Sequence, residues 1–423
     1  MRQVDVIIHN SGQLATCASG GKAKRTADML DVGVVENGAV AIADGRFVGV
    51  GTTADILGAF SSDDVVDADG RAVVPGFVDP HTHIVYAGDR LNEFELKIKG
   101  ADYLEILTSG GGIISTVRNT REASVEELVE LALERLDKML LCGTTTCEIK
   151  TGYGLDIESE LKMLAVIDEL SNQHPIEIIP TLLAAHAIPP EFKDNSDAYV
   201  ELICGEILPK AWNWYENSQF YERAVPFSVD VFAERNTYTI EQSRRLFEVA
   251  RCFGFQIKAH VDQFTNLGGS RLGIDYGALS IDHLDAISDD EIELLADSDT
   301  VGVVIPTENF SAGKSQFANA RKMIDAGCAI AISTDYNPGS APCPSMPMAM
   351  AISCRYQKLL PSEVLNASTI NAAHAIGLGE HYGSIEVGKV ADALILETKD
   401  FRALMYEFGG NIVDSVIKNG EVL

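Results

Sequence analysis

Positive charge is scarce in this chain. Lys and Arg number 33 against 62 Asp and Glu in 423 residues, a formal net charge of −29. A phosphate backbone needs clustered Lys and Arg, so nucleic acid is excluded as a partner. The acidity reads as a solubility feature, with adaptation to salt as the sharper alternative. An anionic substrate must find its positive charge inside the site, because the acidic field does not attract it. Paired cysteine motifs are missing too. The eight cysteines are scattered and none forms a CxxC pair, the pattern of reduced thiols in the cytoplasm. No apolar run reaches the ~18 residues of a membrane span. The opening "MRQVDVIIHNSGQLATC" is interrupted by Asp5, His9 and Asn10, so it does not read as a signal peptide. A Gly-rich phosphate turn after an early strand is also lacking. "SGGGIIST" follows helical residues, which argues against an open, doubly wound nucleotide-binding sheet.

What is present is a large apolar inventory, 46% of the chain, and a repeating pattern. Eight β-type runs recur, from "AVVPGFVDPHTH" through "GTTTCEIK", "IEIIPTLLAAH", "SVDVFAE", "FQIKAHVD", "ALSIDH" and "TVGVVIP" to "CAIAISTD". Helical segments separate most of them. In "SVEELVELALERLDKMLLCG", Ser124 and Glu127 read as a capping box and Gly143 as a stop. Val125, Leu128, Ala132, Leu136 and Met139 share one face. This alternation predicts an α/β fold, a distorted (β/α)8 TIM barrel over residues 71–380. The two ends differ in style. Short strands with Gly and Asp-Gly turns fill residues 1–70 and return at 381–423, which predicts one small β-sandwich built from both termini.

In such a barrel, the C-terminal strand ends converge on one mouth. His81 and His83 end the first strand, and residues i and i+2 face the same way. His186 ends the third, His260 the fifth, His283 the sixth and Asp335 the eighth. Of nine histidines in the chain, five end barrel strands. A lone buried histidine is usually a hydrogen-bonded core residue, but five at one mouth form a metal-ligating pattern. Imidazoles with one carboxylate suit Zn or Fe. A metal held there lowers the pKa of bound water towards ~7, which serves hydrolysis of C–N bonds.

"PGFVDPHTH", "HVDQ", "IDH", "STD" and "GSIEVGKVADALIL" resemble the amidohydrolase superfamily. "HTHIVYAGDR", "EFELKIKGADYLEILTSGGGIISTV", "EIKTGYGLDIESELKML", "AHAIPPEF" and "STDYNPGS" resemble one branch of it. That branch hydrolytically opens 4-imidazolone-5-propanoate to N-formimino-L-glutamate in histidine degradation. The resemblance spans almost the whole chain. It implies one metal per chain, Zn or Fe, held by His81, His83, His260 and Asp335. It implies substrate contacts from Arg90, Tyr103, Tyr153, His186, Asn337, Gly339 and Ser340. His283, Gln263 and Asp335 then handle the water and its protons. A small substrate with a carboxylate tail and a homodimer follow from the same resemblance. Arg90 suits the tail, since guanidinium grips carboxylate bidentately. The "NPGS" turn offers backbone N–H groups to the same end.

Bland readings stand beside these. Arg90 also has Glu93 and Glu95 to pair with. Tyr103 and Tyr153 also read as half-buried aromatics. Lys150 is the position of a carboxylated, metal-bridging lysine in other amidohydrolases, a reading ranked below a mononuclear site. Glu148 and Glu234 read as ligand orienters or as structural ion pairs. Three stretches depart from the branch. "HVDQ" carries Val261 and a Gln263 that cannot act as a base. "VVIPTENFSAGK" replaces a segment expected to be richer in Gly and aromatics. Trp212–Phe227 lengthens the third crossover, as a packed helix end or as a lid or subunit contact. The alternatives are a hydantoinase-like or aminopurine-deaminase-like enzyme, or a barrel without catalysis kept as a scaffold.

Overall fold

The computed structural model describes residues 1–99 and 111–423. Eight parallel strands form the barrel: β1 (Phe77–Asp79), β2 (Thr144–Lys150), β3 (Glu177–Ala185), β4 (Ser228–Ala233), β5 (Gln256–Val261), β6 (Ser280–His283), β7 (Val301–Val304) and β8 (Ile330–Ile332). They neighbour one another in chain order. Almost every residue in them is buried, which explains the continuous apolar runs. A parallel strand covered by helices has no wet face. The ring closes between β8 and β1 by a bridge between Thr82 and Tyr336. Side chains seal the same seam. Asp79 accepts from Ser333 Oγ at 2.6 Å and from Thr334 N at 3.2 Å. Burial pushes Asp79 up to about 6 against those hydrogen bonds.

The covering helices start and stop where the chain supplies caps. In the helix Val125–Leu141, Ser124 accepts from Glu127 N, which is half of the expected box. Leu128, Ala132, Leu136 and Met139 are fully buried on the barrel. Each Leu or Met placed so contributes roughly 1.5–3 kcal/mol. In Ile240–Phe253 the complete box forms between Thr239 and Gln242, and Gly254 ends the helix in the left-handed region. The helix Leu208–Glu216 carries both tryptophans. Trp212 packs on Phe255, and Trp214 on Phe220 and Phe227. Phe227 and Phe255 lie just before β4 and β5, at the end of the barrel away from the mouth. The Trp212–Phe227 stretch is therefore a packed buttress, and it does not sit where a lid over the mouth would.

Both termini supply the second unit. Val6–Ala15 pairs with Val34–Ala43, and Ala393–Leu396 pairs with Val413–Lys418. Ala72–Pro75 joins the two halves by pairing with Ala393–Ile395 on one side and Gln13–Leu14 on the other. The result is one curled sheet closed over its own core of Ile8, Leu14, Val40, Phe47, Val73, Ile395 and Ile417. Asp44-Gly45 and Asn419-Gly420, all at positive φ, make the tight hairpins that such dipeptides favour. Since Ala72–Pro75 belongs to this sheet, the changeover to the barrel falls at Gly76, a few residues later than residue 71. Among the described residues, no helix is long and apolar enough to cross a membrane.

Candidate metal centre

The two histidines after β1 are aimed by the residue between them. Thr82 Oγ1 donates to Glu148 O at 2.5 Å, and Lys150 N donates to Thr82 O at 3.0 Å. His83 N donates to Tyr336 O at 3.0 Å. The chain here is knitted to β2 on one side and β8 on the other. His81 and His83 consequently face the barrel axis together. Their Nε2 atoms lie 3.2 Å apart, and His260 Nε2 lies 3.3 Å from that of His83. Asp335 Oδ1 completes the group, 3.6 Å from His81 Nε2 and 3.4 Å from His83 Nε2. All four side chains are buried.

Two further carboxylates fix which nitrogen faces inward. His81 Nδ1 lies 2.6 Å from Asp282, and His260 Nδ1 lies 2.8 Å from Asp230. A carboxylate only accepts, so Nδ1 carries the proton and Nε2 presents its lone pair. Burial, then His260, holds His81 well below the usual imidazole range; burial, then His186, does the same for His83. Both are held as neutral imidazoles, the form a metal would take. Burial, then Glu308, raises Asp335 well above the usual carboxylate range.

These observations fit a metal. Lone pairs 3.2–3.3 Å apart repel unless a cation lies between them. Four donors about 2.0–2.1 Å from one tetrahedral ion are about 3.3 Å from each other. The group His81, Glu148 and Asp282 also converges, but its acids are already neutralised. Lys150 Nζ lies 2.7 Å from Glu148 and 2.8 Å from Asp230. Lys258 Nζ lies 3.4 Å from Glu148 and 3.7 Å from Asp282. Burial alone lowers Lys150, but Asp230 and Glu148 outweigh it and raise the ammonium above its ordinary value. A lysine so paired is unsuited to carboxylation, and the centre is mononuclear in its donor set.

His283 sits beside this group, its ring 5.3 Å from that of His260 and 5.4 Å from that of His81. It and Leu284 adopt positive φ, +85° and +66°, a costly geometry for side chains of this size. That turn swings the ring to the mouth. Burial, then His260, holds His283 well below the ordinary range, so it is a neutral acceptor. His186 stacks on His83 at 5.0 Å, with Nδ1 3.1 Å from Gly152 O. Burial, then His260, brings it down to about 3. Tyr153, 3% exposed, lies 5.4 Å from the His186 ring.

The tail-binding expectations meet a more specific arrangement. Arg90 pairs with Glu93 through Nε at 2.8 Å and Nη2 at 2.6 Å. That ion pair does not withdraw Arg90 from the mouth, because the guanidinium lies against the Gly339 backbone. A Cβ at Gly339 would stand 2.1 Å from Nη1. The Gly339 and Ser340 N–H groups, however, both donate to Asn337 Oδ1 at 2.8 Å. They close their own turn and are not free to cap a substrate. Asn337 also donates to Asp335 O at 2.7 Å, so it holds the loop behind Asp335. Gln263 is half-buried in the loop after β5, and its side chain makes no hydrogen bond among the described residues. Tyr103 lies outside the described residues. Glu234 accepts from Phe264 N at 2.9 Å and Thr265 N at 3.0 Å, a cap on that loop and not a ligand orienter. Asp230 and Asp282, which do orient the ligands, drew no attention from spacing. Their one signal is an acid inside the apolar runs "SVDVF" and "SIDH", since buried charge must be paired.

Residues 233–423 and 64–110 match amidohydrolase family models. The chain is 51% identical to imidazolonepropionase of Chloroflexus aggregans, covering 100% of this chain and 99% of that one. It is 47% identical to the enzyme of the same name from Herpetosiphon aurantiacus, over 100% and 98%. Among solved structures, a zinc-bound adenosine deaminase from Xanthomonas campestris superposes with a TM-score of 0.74 at 21% identity. That match covers 100% of this chain and 93% of the deaminase, and it speaks for the fold alone. With full-length identity of this order, the chain belongs to the imidazolonepropionase family of amidohydrolases.

Proposed function

We propose that this chain opens 4-imidazolone-5-propanoate by hydrolysis to N-formimino-L-glutamate, with one zinc or iron ion per chain. The observation that carries the reading is the convergence of three imidazole lone pairs and Asp335. Family membership supplies the substrate. When bound, the metal polarises the ring carbonyl and makes water nucleophilic near neutral pH.

The chain's residues do the rest. His81, His83, His260 and Asp335 would hold the ion. Arg90, set by Glu93, binds the propanoate tail beside Gly339. Tyr153 and His186 flank the flat ring. Water adds its hydroxyl to the ring carbonyl carbon, the C–N bond to the neighbouring ring nitrogen breaks, and the departing amidine takes up the proton that the water gave. His283, neutral and poised at the mouth, accepts and returns protons along that course, with Asp335 as its partner. Gln263, unable to act as a base, contributes at most a hydrogen bond. The same reading takes the chain as a homodimer.

The test follows loss of the imidazolone chromophore with metal content measured on the same sample. Turnover with about one metal per chain is expected. Metal without turnover would discard this substrate. His283→Ala is expected to lower kcat on the order of 10²–10⁴-fold with the metal retained. Near wild-type turnover in that variant would remove His283 from the proton path.

A further inference from the structure

Beside the histidine cluster lies a group of buried oxygen atoms that the reaction above leaves unused. Glu308 stands in the short helix Pro306–Ser311, directly after β7 and therefore at the mouth. Thr307 Oγ1 donates to Thr334 O at 2.6 Å, fixing this helix against the residue before Asp335. Glu308 is 3% exposed. Its Oε1 accepts from Lys314 Nζ at 2.9 Å. Its Oε2 has no hydrogen-bond partner, and neither do Asp285 Oδ2, Asn309 Oδ1 and His283 Nδ1. Ligand atoms of His283, Asp285 and Glu308 lie within 4.8 Å of one another. The three idle oxygens accept and cannot donate when ionised or amidic. Buried acceptors are normally satisfied, so this wall calls for a donor.

Lys314 Nζ reaches Oε1 and not Oε2, and it lies over the Phe264 ring, 4.8 Å from the centroid. A ring amidine carries N–H donors, and it must lie within reach of His283 and Asp335 to react. Glu308 lies beside that place, since Thr307 is bonded to the residue before Asp335 and the Glu308 carboxylate shares a cluster with His283. We propose that Glu308 is a specificity-determining residue that accepts a hydrogen bond from a ring N–H of the substrate, with Asp285 and Asn309 completing an acceptor wall. The proposal rests on the substrate reading above. It assigns to the departing segment "TENFSAGK" a preference for nitrogen rings over oxygen rings of the same shape.

The test is calorimetric binding of 3-(1H-pyrrol-2-yl)propanoate and 3-(furan-2-yl)propanoate to the metal-loaded protein. The two ligands share tail and shape and differ in one N–H. Wild type is expected to favour the pyrrole. Glu308→Gln and Glu308→Met are expected to lose about 10- to 100-fold on the pyrrole, the range for a hydrogen bond to a charged group. Their furan affinity should stay within about twofold, which also reports an intact fold and tail clamp. Equal losses on both ligands, or no loss on the pyrrole, would overturn the assignment and leave the cluster to water or a cation. Wild type that binds furan normally and gains nothing from the N–H would overturn it alone. Wild type that binds neither ligand would overturn it together with the substrate reading.

Discussion

An imidazole is a useful ligand only when its far nitrogen is held, and here the holding is done by Asp282 and Asp230. Each carboxylate is itself balanced from below by Lys150 or Lys258. Removing one charge therefore disturbs both the histidine above and the ammonium below. Asp282→Asn is expected to weaken metal binding about 10–100-fold, the usual effect of losing such a partner. Competitive titration with a chromogenic chelator reads this directly. Unchanged affinity would show that the backbone pairing of the Thr82 segment with β2 and β8 alone orients His81. The histidines were legible in the sequence because their spacing shows them facing one way. The two aspartates were not, because their role depends on register. Asp282 stands opposite His260, yet its carboxylate serves His81 across the barrel.

The loop after β8 is an element whose chemistry is internal. Asn337 uses both ends of its amide to close the turn Asp335–Ser340. What that turn offers the substrate is shape, a backbone thin enough at Gly339 for Arg90 to lie against it. Gly339→Ala is expected to push Arg90 aside, since its Cβ would stand 2.1 Å from Nη1. KM for the propanoate substrate should rise about 10-fold or more, the weight of one charge-assisted hydrogen bond, with kcat changed less. Steady-state kinetics separates the two. A change confined to kcat would mean that the turn serves Asp335 and not the tail. The residues "NPGS" pointed to a turn, but not to who accepts its N–H groups. An Asn side chain two residues before an N–H competes with any ligand for it. The tryptophan helix teaches the same lesson: its length was visible, its place at the far end of the barrel was not.

For the whole molecule, a metal held by His81, His83, His260 and Asp335 would act as a fastener, tying the end of β1 to β5 and to the loop after β8 across the seam bridged by Thr82 and Tyr336. Chelation is expected to lower unfolding stability, on the order of 4 kcal/mol when free metal had stood a thousandfold above its Kd. Denaturant unfolding with and without chelator measures it, and zinc or iron should restore the loss. Identical curves would show that the seam is held by Asp79 and its hydroxyl partners without help.

The sequence by itself determined the alternation of strand and helix, the return of the small-sheet style at both ends, and the histidines that converge at the mouth. Each follows from local periodicity: two for a strand face, 3.6 for a helix face, and Gly or Asn where φ turns positive. Only the tertiary structure decided where Ala72–Pro75 belongs, which acids orient the histidines, that Lys150 is spent on carboxylates, and that Glu308 lies beside His283. Apart from Lys150 with Glu148, those are pairings between residues tens to hundreds of positions apart. Barrel closure and inter-strand register set them, and no local pattern in the chain encodes either.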